Sequence, residues 1–237
     1  MSNTFTKLIL AIFLAQVTLN ISAYAESEKA SWTLSKKTGA IAVYQKPVPG
    51  LAIDAFKGVC EQQVRLEVVG AVLENIPGYV KWIYSLSESR VIEKKNEDHL
   101  LLYQLYDVIW PFSDRDIVGE ATVERNYQTG KFVIRLQSIS DTRVPLKNNT
   151  VRVPAYTGTF IVEYIDREHT RITYNAQIDF GGAIPKWFGN LLSREIPFRM
   201  LTGLMDETKK KEYIKAAETS ELRRKLEESI KNGNLKK

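Results

Sequence analysis

The stretch Tyr103–Glu120, which reads YQLYDVIWPFSDRDIVGE, decides the fold because it turns one apolar strand back into another. Pro111 has no amide hydrogen, so it suits the break between two strands better than a strand interior. The charged residues Asp114, Arg115 and Asp116 follow this break directly. We interpret them as a structural corner in which the guanidinium lies between two carboxylates.

Two later charged residues are assigned to the same structural corner. Arg152 lies on a strand on which Val151 and Val153 face the other way, so it is either solvated or paired with a carboxylate. Asp179 ends a strand just before Gly181, where we expect it to cap the turn or to pair with an arginine.

The composition is that of one globular domain, with 237 residues, 44% hydrophobic and 26% charged. The first 25 residues differ from the rest, because Lys7 is their only charged side chain and an apolar run covers residues 8–19. A small-residue site, Ala23-Tyr24-Ala25, follows. This layout predicts a signal peptide, residues 1–25, cleaved after Ala25, and hence a periplasmic or secreted protein. A retained N-terminal anchor is the alternative.

The rest of the chain reads as three strands, a short helix at 66–76, about six strands and one long apolar helix. Two glycines, Gly181 and Gly182, permit a sharp turn into that helix, and Pro197 is expected to kink it. A long antiparallel sheet must bury one face, and only this helix is apolar enough to cover it. The predicted fold class is therefore α+β, with a curved antiparallel sheet wrapped around a long C-terminal helix and an internal cavity.

Residues 26–208 are assigned to this domain and residues 209–237 to a charged helical tail. The tail has a thin apolar stripe and i, i+4 charge pairs such as Glu221 and Lys225. We interpret it as a solvated terminal helix. An amphipathic helix on a membrane surface is the alternative.

The sequence offers no credible catalytic constellation. His99 and His169 each lie in a charged turn, and Cys60 is surrounded by residues that favour plain packing. Neither metal-ligand spacing nor a phosphate-binding glycine loop is present in the sequence, so no metal and no cofactor are expected. Removing Lys7 lowers the net charge from +5 to +4, and this modest excess near the C-terminus does not predict binding to nucleic acid.

Strand faces and the long helix supply the candidate cavity wall, in which small residues leave volume and a few polar groups orient a ligand. The candidate residues are Tyr103, Gln104, Ile117, Gly119, Ala121, Phe132, Ile134, Leu136, Tyr174, Ala176, Ile178, Phe188, Leu191 and Leu192.

Three motifs in this order resemble a bacterial START-domain protein: WPFSDRD at 110–116, VRV at 151–153 and IDFGGAIPKWFGN at 178–190. The resemblance covers roughly residues 30 to 206. It implies a helix-grip fold with a tunnel-like cavity for one lipid or sterol-sized apolar molecule, and it does not usually imply catalysis. Some relatives carry a buried acid–arginine pair, but the matching positions here, Ala121 and Leu102 or Tyr103, are uncharged. A more apolar pocket, or a different anchor, is therefore expected.

The leading hypothesis is an exported protein, a monomer, that binds a lipid or other apolar small molecule and carries it through the periplasm with transient membrane contact. A second hypothesis is a cyclase or dehydratase of the wider START-related superfamily, for which Tyr103, Asp107, Arg115 and Asp179 are the pool of acid–base residues. A third is a binding module that engages a protein partner through the basic tail.

Overall fold

A computed structural model of the chain describes residues 31–51, 53–182 and 184–236. The predicted signal peptide lies outside the described residues. The elements follow one another as β1 (Thr33–Thr38), β2 (Ile41–Lys46), β3 (Ala55–Gln63), α1 (Leu66–Glu74), a 3-10 turn (Ile76–Lys81), β4 (Leu86–Asn96), β5 (His99–Tyr106), β6 (Asp114–Asn126), β7 (Lys131–Ser138), β8 (Thr150–Arg152), β9 (Ala155–Tyr164), β10 (His169–Asp179), α2 (Lys186–Glu207), α3 (Lys211–Glu218) and α4 (Glu221–Lys231).

The strands form one ten-stranded sheet in the order β1-β2-β3-β10-β9-β7-β6-β5-β4, with β8 added beside β6. The neighbours in this order run antiparallel, whereas the short β8 pairs with β6 in parallel. The predicted α+β fold, a curved antiparallel sheet closed by C-terminal helices, is confirmed.

Helix α2 is the element that the sheet grips. It packs against β2, β3 and β10, and its residues Leu201 and Leu204 are fully buried. The chain enters α2 through Gly181 and Gly182, whose φ angles are 63° and 66°. Residues other than glycine rarely adopt this left-handed backbone conformation, so the sharp turn after β10 depends on both glycines.

In the C-terminal segment, α3 and α4 each pack one face on the domain and expose the other to solvent. Helices α3 and α4 contact α1, and Ala217, Leu226 and Ile230 are buried. The Ser229 hydroxyl also donates to the carbonyl of Tyr127 at 2.7 Å. The apolar side chains of α3 and α4 therefore pack against α1, although they form only a narrow stripe. Among the described residues, no helix is both long and apolar enough to cross a bilayer.

The sheet buries side chains on both faces in the region of β5 and β6. The inner face, toward α1 and α2, carries the main core. The outer face carries a smaller core, in which Val144 of the 139–149 connection between β7 and β8 is grouped with Tyr103 and Val118.

Candidate ligand-binding cavity

Two adjacent chambers, each of about 440 Å³, lie between the inner face of the sheet and the helices. We call them the α1 chamber and the α2 chamber after the helix that closes each one. Their volumes fall within the range of small-molecule binding sites. Five residues line both chambers and form the wall that they share. These residues are Ile83, Tyr106, Tyr156, Tyr174 and Met200.

The floor of the α1 chamber consists of rows of side chains that lie in register across the sheet. One row runs from Tyr174 through Phe160 and Ile134 to Val123. A second row contains Gly158, Leu136, Ala121 and Leu100. Helix α1 supplies the opposite side through Leu66, Gly70 and Leu73. Facing residues on paired strands point to the same side of a sheet, so these two rows form one continuous surface. Because most of their side chains are apolar, the chamber is apolar over most of its surface.

The shared wall holds a small polar cluster within this apolar lining. The hydroxyl oxygens of Tyr156 and Tyr174 are 3.1 Å apart, and the Tyr106 hydroxyl donates to Gln104 Oε1 at 3.1 Å. Burial raises the pKa of Tyr106, Tyr156 and Tyr174, so all three stay neutral at physiological pH. The cluster can therefore donate and accept hydrogen bonds without carrying charge.

An apolar rim formed by the β5–β6 loop and the first turn of α2 borders the α2 chamber, which Ile109 and Phe188 line. Phe112 of the loop stacks on Phe188 of the helix with ring centroids 4.8 Å apart. Ile109, Trp110 and Trp187 are 72%, 87% and 68% exposed. We define these three residues as the apolar rim. Large apolar side chains that are exposed together at a cavity entrance are typical of an interaction surface.

Asp116 and Arg152 form a buried pair on the outer face of the sheet. Asp116 is fully buried, and it accepts from Arg152 Nε at 2.7 Å and from Arg152 Nη2 at 2.9 Å. This two-point geometry raises the pKa of Arg152 through its hydrogen bonds to Asp116. Of the two roles left open for Arg152, the carboxylate partner is the one observed.

Arg115 does not lie between two carboxylates, and this correction follows from strand geometry. Neighbouring residues on β6 point to opposite faces, so Arg115 faces inward while Asp116 faces outward. The Arg115 side chain donates from Nε to the Phe180 carbonyl at 3.1 Å, from Nη2 to the Gly181 carbonyl at 3.2 Å, and from Nη1 to the Ser113 carbonyl. Burial lowers the pKa of Arg115, but a guanidinium remains charged at neutral pH.

The other two corner residues bind backbone amides. Asp114 Oδ1 accepts from the amide of Val108 at 3.0 Å, and Asp179 Oδ1 accepts from the amide of Gly181 at 2.9 Å. Asp114, at the start of β6, thus holds the beginning of the β5–β6 loop, and Asp179 caps the turn before α2, the first of its two expected roles.

Most of the predicted cavity residues line a chamber, and three do not. In the α1 chamber these are Gln104, Ala121, Phe132, Ile134 and Leu136. In the α2 chamber these are Ile117, Ile178, Phe188, Leu191 and Leu192, and Tyr174 lines both. The remaining three are Tyr103, Gly119 and Ala176.

Each of these three misplacements has a physical reason. Tyr103 neighbours Gln104 on β5 and therefore faces the outer core. Gly119 faces inward, but Leu136 covers it so closely that an added Cβ would lie 2.6 Å from Leu136 Cδ1. Ala176 pairs in register with Phe56, whose larger side chain reaches the α2 chamber.

Sequence reasoning missed Tyr106 and Tyr156 of the shared wall and the contribution of α1. Alternation along β9 places Tyr156 on the same face as Gly158, Phe160 and Val162, and that signal was available in the sequence. The contributions of Leu66 and Gly70 had no such signal, because they depend on where a separate helix docks.

The four residues considered for catalysis do not all line the same chamber. Of that pool, only Asp107 and Arg115 line a chamber, and Asp107 is bound to Ser87 Oγ at 2.6 Å. Burial raises the pKa of Cys60 to about 12, so its thiol stays protonated. Within residues 31–236, apart from the two undescribed positions, no group of three or more His, Cys, Asp or Glu side chains is placed to hold a metal ion.

Comparison with known proteins identifies the class to which this fold and cavity belong. The family model of the START domain matches residues 14–208, and the chain belongs to that family. The uncharacterized protein PA1579 of Pseudomonas aeruginosa is 27% identical over 198 residues, which cover 84% of this chain and 96% of that protein.

Two solved structures show the same fold. The STAR-related lipid transfer protein of Xanthomonas axonopodis is 26% identical, with a TM-score of 0.68, over 76% of this chain and 99% of that one. Human StAR-related lipid transfer protein 5 has a TM-score of 0.70 at 16% identity, over 84% of this chain and 97% of that one. The predicted START resemblance is confirmed.

Proposed function

We propose that this START domain binds one lipid, or a similar molecule with a long apolar chain, inside the two chambers. The apolar lining on both sides of the shared tyrosine wall is the observation that carries the proposal. Burial of a chain favours binding by about 0.8 kcal/mol per methylene, so few polar contacts are needed for useful affinity. The lipid-transfer relative from Xanthomonas axonopodis supports the same ligand class.

We further propose that the protein loads and releases its ligand while the apolar rim rests on a bilayer. Tryptophan side chains favour the interface between lipid and water. Trp110 and Trp187 are exposed in the apolar rim, and Trp187 contacts Phe188, which lines the α2 chamber. Opening requires the β5–β6 loop or α2 to move, and the turn at Gly181 and Gly182 is the proposed hinge.

The binding proposal is tested by native mass spectrometry of protein purified from its source cells, followed by lipid extraction. We expect a bound mass that denaturation releases, and we expect delipidated protein to take up a fluorescent fatty-acyl probe. A protein that carries nothing and takes up no probe would refute the proposal.

The transfer proposal is tested with donor and acceptor vesicles. The double variant Trp110→Ser/Trp187→Ser should slow transfer at least severalfold while its affinity for the probe stays unchanged. The control is Leu34→Ser, which removes an exposed apolar side chain on the edge strand β1. Equal slowing by the control variant would contradict a specific role for the rim.

We also propose export, with a mature chain that begins at Glu26 and acts as a monomer in the periplasm. Cell fractionation and mass determination of the processed protein test the first point, and light scattering tests the second. Recovery of full-length chain from the cytoplasm would contradict export.

A further inference from the structure

Arg115 is a buried cation that lines the α2 chamber. The residue is 4% exposed, and none of the described residues places a carboxylate oxygen within 4.0 Å of its guanidinium. Buried charges in proteins are normally paired, because an uncompensated charge in an apolar site is costly. Among the described residues, therefore, no ion pair compensates the positive charge of Arg115.

The carboxylates near the chamber are bound to other groups. Asp107 accepts from Ser87 Oγ at 2.6 Å, and Glu195 accepts from Lys36 Nζ at 2.9 Å. Asp114 is next to Arg115 in sequence, but its Oδ1 accepts from the Val108 amide at 3.0 Å. None of the three places a carboxylate oxygen within 4.0 Å of the Arg115 guanidinium, and the nearby charge of Asp114 offsets only part of the effect of burial on the pKa of Arg115.

The guanidinium also has donors to spare. A guanidinium carries five N–H groups, and three of these reach the carbonyls of Ser113, Phe180 and Gly181. One N–H therefore remains on Nη1 and one on Nη2. Oxygen atoms of a carboxylate or a phosphate accept hydrogen bonds from such charged donors.

We propose that Arg115 binds the anionic head group of the ligand, which is accordingly an acyl or alkyl chain that ends in a carboxylate or a phosphate. This assignment rests on the proposed lipid-binding function and narrows its ligand class. The three carbonyls that hold Arg115 belong to the β5–β6 loop and to the turn into α2, so the head group lies near the apolar rim. The apolar chain of the ligand then extends past Ile117 and Ile178 toward the shared wall.

The experiment compares three ligands with the same chain on the delipidated mature protein. Hexadecanoic acid, hexadecyl phosphate and hexadecanol each displace a fluorescent fatty-acyl probe. We expect the acid, the phosphate or both to bind at least about tenfold more tightly than the neutral alcohol. A preference for the acid alone indicates a fatty acid, and a preference for the phosphate alone indicates a phospholipid.

Two arginine variants assign the preference to one residue. In Arg115→Gln the preference should disappear while the affinity for hexadecanol stays within about twofold, which also shows that the cavity has folded. Arg199→Gln is the matched control, because Arg199 lines the same chamber but is exposed and lies 3.7 Å from Glu195. If Arg115→Gln does not fold, Arg115→Lys, which keeps the charge, should keep part of the preference.

The failures of the two proposals are distinguishable. Equal binding of acid, phosphate and alcohol by the wild-type protein overturns the head-group assignment and leaves lipid binding intact. Loss of the preference in Arg199→Gln, or its full retention in Arg115→Gln, overturns the role of Arg115. Binding of none of the three ligands, and of no probe, overturns the proposed function itself.

Discussion

Strand β6 has two faces with different surroundings, and its neighbours Arg115 and Asp116 show the difference. On the outer face, Asp116 is fully buried and both of its carboxylate oxygens accept from Arg152. On the inner face, Arg115 donates only to backbone carbonyls, and Ile117 and Ala121 border open chambers. The outer face is filled by the protein's own groups, whereas the inner face keeps volume and donors for another molecule. Folding stability and ligand binding are therefore separable along one strand.

The largest effect is expected from Asp116→Ala on the outer face. Removal of the carboxylate leaves Arg152 without its partner in a partly buried site, which lowers the free energy of unfolding by about 3 kcal/mol. Urea denaturation measures this change. Glu124→Ala on the same strand is the control, because Glu124 forms an exposed pair with Arg135 that is worth about 1 kcal/mol or less. Similar losses in both variants would show that the buried pair has no special weight.

The next effect is expected on the inner face, from Ala121→Phe. The larger ring occupies part of the α1 chamber, and a chain that loses two methylenes of burial binds about fifteenfold less tightly. Displacement of the probe by hexadecanoic acid measures this loss of affinity. A shorter acid whose chain ends before the shared wall should bind the variant as tightly as it binds the wild type. Thr122→Phe, one residue away on the outer face, should leave both affinities intact. Equal loss for the short and the long acid would place the chain elsewhere.

These two faces also mark how far the sequence could predict the structure. The alternation of apolar residues along β6, β7 and β10 gave the inner face of the sheet, because side chains alternate strictly along a strand. The same rule was broken in one place, where Tyr103 and Gln104 were both assigned to the cavity although neighbours cannot share a face. The outer core that receives Tyr103 includes Val144 from a connection without regular structure, and no periodic pattern predicts such a contact.

The charged corner was harder to predict than the strands around it. Its residues were identified, but their partners lie far away in sequence: Asp116 pairs with a residue of β8, and Arg115 reaches the turn into α2. The same limit applies to the C-terminal tail. Of the thin stripe of Ile214, Leu222, Leu226 and Ile230, the last three are buried or partly buried and Ile214 is exposed. The α1 surface that the tail covers forms only on folding.

A smaller effect is expected from Gly119→Ala, which acts on the chamber through another residue. The new Cβ would lie 2.6 Å from Leu136 Cδ1, so the flexible end of Leu136 must shift, and we expect it to turn into the α1 chamber that it lines. The volume of about one methylene is lost, and the affinity for hexadecanoic acid should fall about fourfold or less. Adding Leu136→Ala to this variant should restore the affinity. Full affinity in the single variant would show that Leu136 moves away from the chamber.

The smallest effect is expected from Tyr103→Phe, which tests the face assignment most directly. The phenyl ring remains in the outer core, where Arg90 and Lys147 lie 4.8 Å and 5.1 Å from the ring centroid. We therefore expect the free energy of unfolding to change by less than about 1 kcal/mol and ligand affinity to stay the same. Tyr174→Phe is the matched comparison, because that hydroxyl lies in the shared wall and its removal should change affinity for ligands with a polar group at mid-chain. A change in affinity in Tyr103→Phe alone would mean that the ligand contacts the outer face, and the separation of the two faces would then fail.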